Sequence, residues 1–199
     1  MSSMRNNTVR SNGTGEESLL DAARDCVLAV GWRRTTMTDV ARRAGVSRMT
    51  VYRRWPDMNA LTADLMTREF TGAGTALHED AGTPINAAEI ARAVTTAATQ
   101  ICTDPLFVKM VDVDPELLLP YLLNRRGRVQ DLLLSTLTSH IRAGQRHGDV
   151  RKGRPDVLAR TVLLLAHGYV VSSSTMIEDR YTDRIARREL TTAVESYLR

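Results

Sequence analysis

The sequence is poor in several things that would otherwise direct it. Cysteine occurs twice in 199 residues, at Cys26 and Cys102, which excludes a disulfide framework and a four-cysteine zinc site and suits a reducing cytosol. Long apolar runs are missing. The longest stretch without a formal charge, Thr161 to Ile177, is 17 residues and contains His167, Gly168 and three consecutive serines. A spanning helix needs about 20 mostly apolar residues, so this segment reads as a buried helix. The first residues, MSSMRNNTVRSNGTG, lack the apolar centre of a signal peptide, and mean hydropathy is −0.23. The expectation is a cytoplasmic protein with no membrane partner. Catalytic signatures are missing as well: there is no G-x-S-x-G, H-E-x-x-H, Walker loop or G-x-G-x-x-G, and no His, Cys and carboxylate spacing suited to a metal. No enzyme activity and no cofactor are expected.

What is present is arginine, which supplies 25 of the 27 basic residues. The net charge of +4 is unevenly placed. Between Arg33 and Arg54 seven arginines meet one acid, Asp39, a local +6 that leaves −2 on the rest of the chain. Such a block is either a polyanion-binding module on a slightly acidic body or a solvated face of an arginine-biased chain.

Glycine and proline punctuate the first third. Leu19, Leu20, Ala23, Cys26, Val27 and Val30 recur at three- and four-residue steps, predicting an amphipathic helix that ends at Gly31. Thr36-Met37-Thr38-Asp39 has the form of a capping box. Met37, Val40, Ala41 and Ala44 form the short apolar face behind it, and Gly45 supplies a left-handed turn. Ser47 caps a helix from Arg48 to Arg54, stapled by Val46 and Val51. Asp57, after Trp55-Pro56, caps a fourth helix through Leu61, Leu65 and Met66. Two short helices joined by a tight glycine turn make a helix-turn-helix. Farther on, prolines at 84, 105, 115, 120 and 155 divide apolar-periodic segments at 85–103, 105–112, 116–147, 156–178 and 183–198. The expected fold is all-α: a flexible tail over 1–15, a helix-turn-helix DNA-binding domain over 16–71, and a larger helical domain over 72–199, to which the family resemblance that follows assigns ligand binding and dimerisation.

The run LLDAARDCVLAVGWRRTTMTDVARRAGVSRMTVYRRWPDMNALTADLM resembles the DNA-binding region of the TetR/AcrR family of bacterial transcriptional regulators. The landmarks are Gly31-Trp32, Thr35-Thr36, Asp39-Val40-Ala41, Ala44-Gly45-Val46-Ser47, Thr50-Val51-Tyr52, Trp55-Pro56 and Ala60-Leu61. They span about a quarter of the chain. The resemblance implies a ligand-responsive regulator, a repressor, that binds a palindromic operator as a homodimer and is released by a small molecule. The residues suit that chemistry. Arg48, first after its cap, can make a bidentate contact to guanine. Met49 and the methyl of Thr50 can meet a thymine methyl. Tyr52 offers its hydroxyl to phosphate or packs on neighbouring helices, and Arg53 and Arg54 reach phosphate or base. Thr36 and Thr38, at the start of the preceding helix, suit phosphate, and the position of Thr38 reads a base in some relatives. Two positions depart from the family pattern: Met49, where a small residue is common, and Met58, where a phosphate-contacting lysine is common. Arg5 and Arg10 lie in the tail, either along a minor groove or without a role.

A single helix-turn-helix reads only a few base pairs, so a two-fold dimer is the usual solution. The expected dimer stripes are Val162, Leu165 and Tyr169 with Gly168 on one helix, and Leu190, Val194 and Tyr197 on the last. The resemblance implies a four-helix bundle between subunits; the alternative is that these stripes face their own core. A largely apolar effector is expected among Phe107, Met110, Tyr121, Leu133, Leu137, His140 and His167, or else these residues are plain core. Two other function classes stay open: a nonspecific nucleic-acid-binding or architectural protein, and a helical enzyme with an appended helix-turn-helix. The second needs a pair of titratable groups that the sequence does not display.

Overall fold

A computed structural model describes residues 15–72, 86–124 and 126–199. The tail with Arg5 and Arg10 therefore lies outside the described residues, as do Pro84 and Arg125. Among the described residues there are helices and no strand, only a single antiparallel bridge between Glu178 and Tyr181. The helices are α1 (Gly15–Val30), α2 (Met37–Ala44), α3 (Arg48–Arg54), α4 (Met58–Thr71), α5 (Ala87–Thr103), α6 (Pro105–Val113), α7 (Leu119–Leu123), α8 (Arg128–His147), α9 (Pro155–Met176) and α10 (Asp183–Leu198). Two compact units divide between Leu61 and Thr62. The division falls near the start of α4, where the sequence placed it after that helix.

In the first unit the local signals set each boundary. Gly31 stops α1 at φ 86°, and the buried Thr35 hydroxyl donates back to the Gly31 carbonyl at 2.7 Å. The Thr36 hydroxyl accepts the Asp39 amide at 3.2 Å while the Asp39 carboxylate accepts the Thr36 amide at 3.1 Å, which closes the capping box. Gly45 ends α2 at φ 69°, and Ser47 Oγ accepts the Thr50 amide at 3.2 Å to start α3. Behind these caps Ala23, Val27, Val40, Val51, Trp55 and Leu61 are fully or almost fully buried.

In the second unit α5 packs along α10, α8 along α9, and α9 against both α5 and α10. Ile90, Val94, Leu137, Ile141, Leu158, Val162, Val194 and Leu198 form its core. The apolar-periodic segment 116–147 is divided among a 3-10 turn at Pro115–Leu117, the short α7 and α8. Pro120 can only sit in a first turn, and Gly127 precedes a fresh helix start. The α8–α9 loop is tied to the end of the chain. Arg151 donates its amide to the Leu198 carbonyl at 2.8 Å and Nε to the Tyr197 carbonyl at 2.6 Å, and its guanidinium lies 4.4 Å from the Tyr197 ring centroid.

By length and composition α9 is apolar enough to cross a membrane. It contributes Leu158, Ala159, Val162 and Leu163 to the unit's core while Leu164, Leu165, Gly168 and Val171 are exposed. That arrangement corrects the expected dimer stripes. Val162 and Val194 are fully buried and Leu190 is 8% exposed, so all three belong to their own subunit's core. Tyr169 and Tyr197 are half-buried against the same core, and the Tyr169 hydroxyl donates to Asp183 at 3.1 Å. Of the expected set only Leu165 and Gly168 face outward. The outward stripe is rotated by one residue, to Leu164, Gly168 and Val171.

Candidate DNA interface and ligand cavity

The α3 helix sorts its side chains cleanly. Val51 is fully buried and anchors the helix, while Arg48, Met49, Tyr52 and Arg53 are exposed. Met49 is 74% exposed. Thr50 is half-buried, with its hydroxyl 3.0 Å from Ser47 Oγ, so its polar atom is engaged in the cap.

Ion pairing separates the arginines. Arg54 pairs with Glu16 and its guanidinium lies 6.0 Å from the Trp55 ring centroid. Arg42 pairs with Asp39 at 2.5 Å and Arg43 with Asp25 at 3.1 Å. Arg48 and Arg53 form no ion pair among the described residues, and their charge is presented outward. The Thr36 hydroxyl donates to the Asp39 carboxylate at 2.6 Å as well as accepting from its amide, so its one donor hydrogen is spent on the cap. The hydrogen bond from Thr36, with Arg42 beside it, holds the Asp39 carboxyl below the usual carboxylate range. Thr38 is half-buried one residue inside the helix.

The second unit holds a partly enclosed cavity of about 180 Å³. Phe107, Tyr121, Leu133, Leu137 and His167 line it, together with Met66, Thr67 and Phe70 of α4 and Gln130 of α8. Phe70 and Phe107 meet edge to face, with ring centroids 6.0 Å apart. Met110 and His140 are buried at 1% and 6% exposure but lie outside the lining. They are core residues, because the inner faces of α6 and α8 carry more apolar positions than the cavity uses. The sequence reading missed α4, whose Met66 and Phe70 fall at i, i+4. In the sequence that helix reads as part of the DNA-binding domain. Gln130 carried a weak signal: a polar residue three positions into a helix that starts after a glycine. Arg128 of α8, which also lines the cavity, pairs with Asp64 of α4. Both thiols are pushed up by burial, Cys26 in the first unit and Cys102 in the second, as befits packed side chains.

Among the described residues no group of His, Cys, Asp and Glu is arranged to hold a metal ion. What the chain does display is an arginine-bearing recognition helix on one unit and an apolar cavity in the other. Its similarities to known proteins agree with that division. Residues 19–65 match the family described as bacterial regulatory proteins, tetR family. Across 198 residues, and 100% of both chains, the sequence is 31% identical to an uncharacterized HTH-type transcriptional regulator of Mycobacterium bovis. A counterpart in Mycobacterium tuberculosis matches to the same extent. Among solved structures, the transcriptional regulator FadR from Bacillus subtilis in complex with stearoyl-CoA superposes with a TM-score of 0.65 at 14% identity, over 92% of this chain and 99% of that one. The SmeT–triclosan complex gives 0.62 at 20% identity, over 92% and 90%. These two share the fold, and the mycobacterial proteins share the whole length. The chain belongs to the TetR family of bacterial regulatory proteins, and is a helix-turn-helix DNA-binding transcriptional regulator rather than an enzyme.

Proposed function

We propose that the protein is a repressor that binds a palindromic operator as a homodimer and is released when a small, largely apolar molecule occupies the α4–α9 cavity. The observation that carries this reading is the pairing, in one chain, of an outward recognition helix with an apolar cavity lined by α4. A helical body serving only as scaffold has no need of such a cavity in its core. The names of two fold neighbours, bound to stearoyl-CoA and to triclosan, support an apolar occupant.

On this reading Arg48 and Met49 contact base edges, with Tyr52 and Arg53 on the backbone. Arg54 and Thr36 are the weakest of the expected DNA contacts because Glu16 and Asp39 already engage them. Residues 15–61 form the DNA-binding part, and the remainder carries the effector and the partner subunit. The second copy covers α9 along Leu164, Leu165 and Gly168. An occupant that pushes on Met66 and Phe70 shifts α4, favouring a dimer whose recognition helices no longer fit successive major grooves. Coupling of about 1–3 kcal/mol, typical of allostery, changes occupancy roughly 5- to 150-fold.

Footprinting on genomic fragments pulled down by the purified protein tests the proposal. A bounded, two-fold symmetric protected segment supports it. Coating that lengthens with protein concentration and ignores sequence refutes it in favour of an architectural role.

A further inference from the structure

Few polar atoms line the cavity, and their hydrogen bonds decide what remains for an occupant. The Gly127 amide N–H donates to Gln130 Oε1 at 2.7 Å. A backbone N–H is only a donor, so this bond fixes which end of the Gln130 amide is oxygen. Nε2 then lies on the other side, donating to the Tyr121 carbonyl at 3.2 Å and facing His167 Nε2 at 3.4 Å. An imidazole nitrogen that faces an amide N–H must be the acceptor. His167 is therefore neutral, with its proton on Nδ1. Burial favours the same uncharged form and holds its pKa below the ordinary value. The Nδ1–H finds no hydrogen-bond partner among the described residues, although the ring lines the cavity.

Two further polar side chains of the lining are committed. The Thr67 hydroxyl donates to the Ala63 carbonyl at 2.6 Å, and Arg128 is paired with Asp64. No unbalanced charge of either sign faces an occupant, so an ion entering would give up its water with nothing to replace it. Size narrows the class again. An apolar cavity of about 150 Å³ accepts benzene, and this one measures about 180 Å³.

Taking the cavity as the effector site, we propose that the effector is an uncharged molecule with a body of about one ring and a hydrogen-bond acceptor, such as a carbonyl oxygen, recognised by the Nδ1–H of His167. Gln130 acts as a positioning residue: through the bond from Gly127 it sets the tautomer that makes His167 a donor.

Four near-isosteric probes test this on the full-length protein by calorimetric titration: acetophenone, ethylbenzene, benzoate and 1-phenylethylammonium. Acetophenone is expected to bind roughly two- to tenfold tighter than ethylbenzene, the range of one net hydrogen bond. His167→Phe is expected to erase that preference while both neutral probes still bind. Equal binding of the two neutral probes by the wild type overturns the role of His167 and leaves the cavity as a ligand site. Tighter binding of benzoate or 1-phenylethylammonium overturns the uncharged class. Failure of all four to bind removes the cavity reading itself, and this proposal with it. Should His167→Phe not fold, long-range proton–nitrogen spectra of the wild-type imidazole decide: a proton on Nδ1 supports the assignment, and one on Nε2 overturns it.

Discussion

Replacing Leu164 with Asp separates the two faces of α9. Leu164 is 68% exposed in a single chain and begins the outward stripe that continues through Gly168 and Val171. Full burial of a leucine side chain is worth about 1.5–3 kcal/mol, so two-thirds exposure leaves about 1–2 kcal/mol to be gained when a partner covers it. A two-fold interface counts each substitution twice. The expected loss is about 2–4 kcal/mol, or roughly 30- to 700-fold in the dimer dissociation constant, before any cost of desolvating the new carboxylate. Because the position is already exposed, the fold itself should change by no more than about 0.5 kcal/mol. Val162 is the opposite case: it is fully buried, and Val162→Ala removes two buried methyl-sized groups, about 1.5 kcal/mol of fold stability, without touching the interface directly. Sedimentation equilibrium on both variants, with urea unfolding alongside, reads the contrast. An unchanged dissociation constant for Leu164→Asp, or a dimer weakened more by Val162→Ala, refutes the assignment of the outward face.

Arg48→Ala should lower the preference for operator over random DNA by about 1–3 kcal/mol, whereas Arg54→Ala, already engaged by Glu16 and Trp55, should alter neither affinity nor salt dependence much. A drop of about 0.9 in the salt slope for Arg54→Ala, measured by anisotropy titration, would put that arginine on a phosphate instead. Gly45 sits at φ 69° with nothing within 4 Å of an added Cβ, so Gly45→Ala should destabilise through backbone strain alone, by about 1–2 kcal/mol in urea unfolding, and Gly45→Asn by less. Asp39 has a lowered folded pKa. Its contribution is complete above its unfolded value near 3.8 and fades as pH falls through the lower folded one. The Asp39→Asn variant should therefore lose stability relative to wild type at neutral pH, with the gap narrowing toward pH 2 in acid titrations; a constant gap contradicts the assigned cause.

The helix boundaries of the first unit were readable because they are set locally. Thr36, Asp39, Gly45 and Ser47 each satisfy or release backbone groups within four residues, and no distant contact overrides them. The faces of α9 were not readable. Its composition is apolar nearly all round, and periodicity cannot tell a side facing its own core from one facing a partner. The expected stripe through Val162 and Tyr169 therefore came out one residue away from the exposed one. The cavity was legible in part: Phe107, Tyr121, Leu133, Leu137 and His167 line it, but Met110 and His140 show the same apolar-face pattern and are simply core. The state of His167 depends on a bond made by Gly127, 40 residues earlier in the chain, through a glutamine side chain. Pairing of that kind exists only once α8 and α9 have packed.

Regulation by this protein requires sequence-specific DNA binding. Competition anisotropy at physiological salt measures it directly: the purified wild-type protein is titrated against a duplex recovered by its own footprint, with random duplex of equal length as competitor. A ratio of at least about 10³ in favour of the footprinted duplex is expected, within the range of specific DNA-binding proteins. A ratio near one, with affinity following duplex length and salt alone, would contradict it.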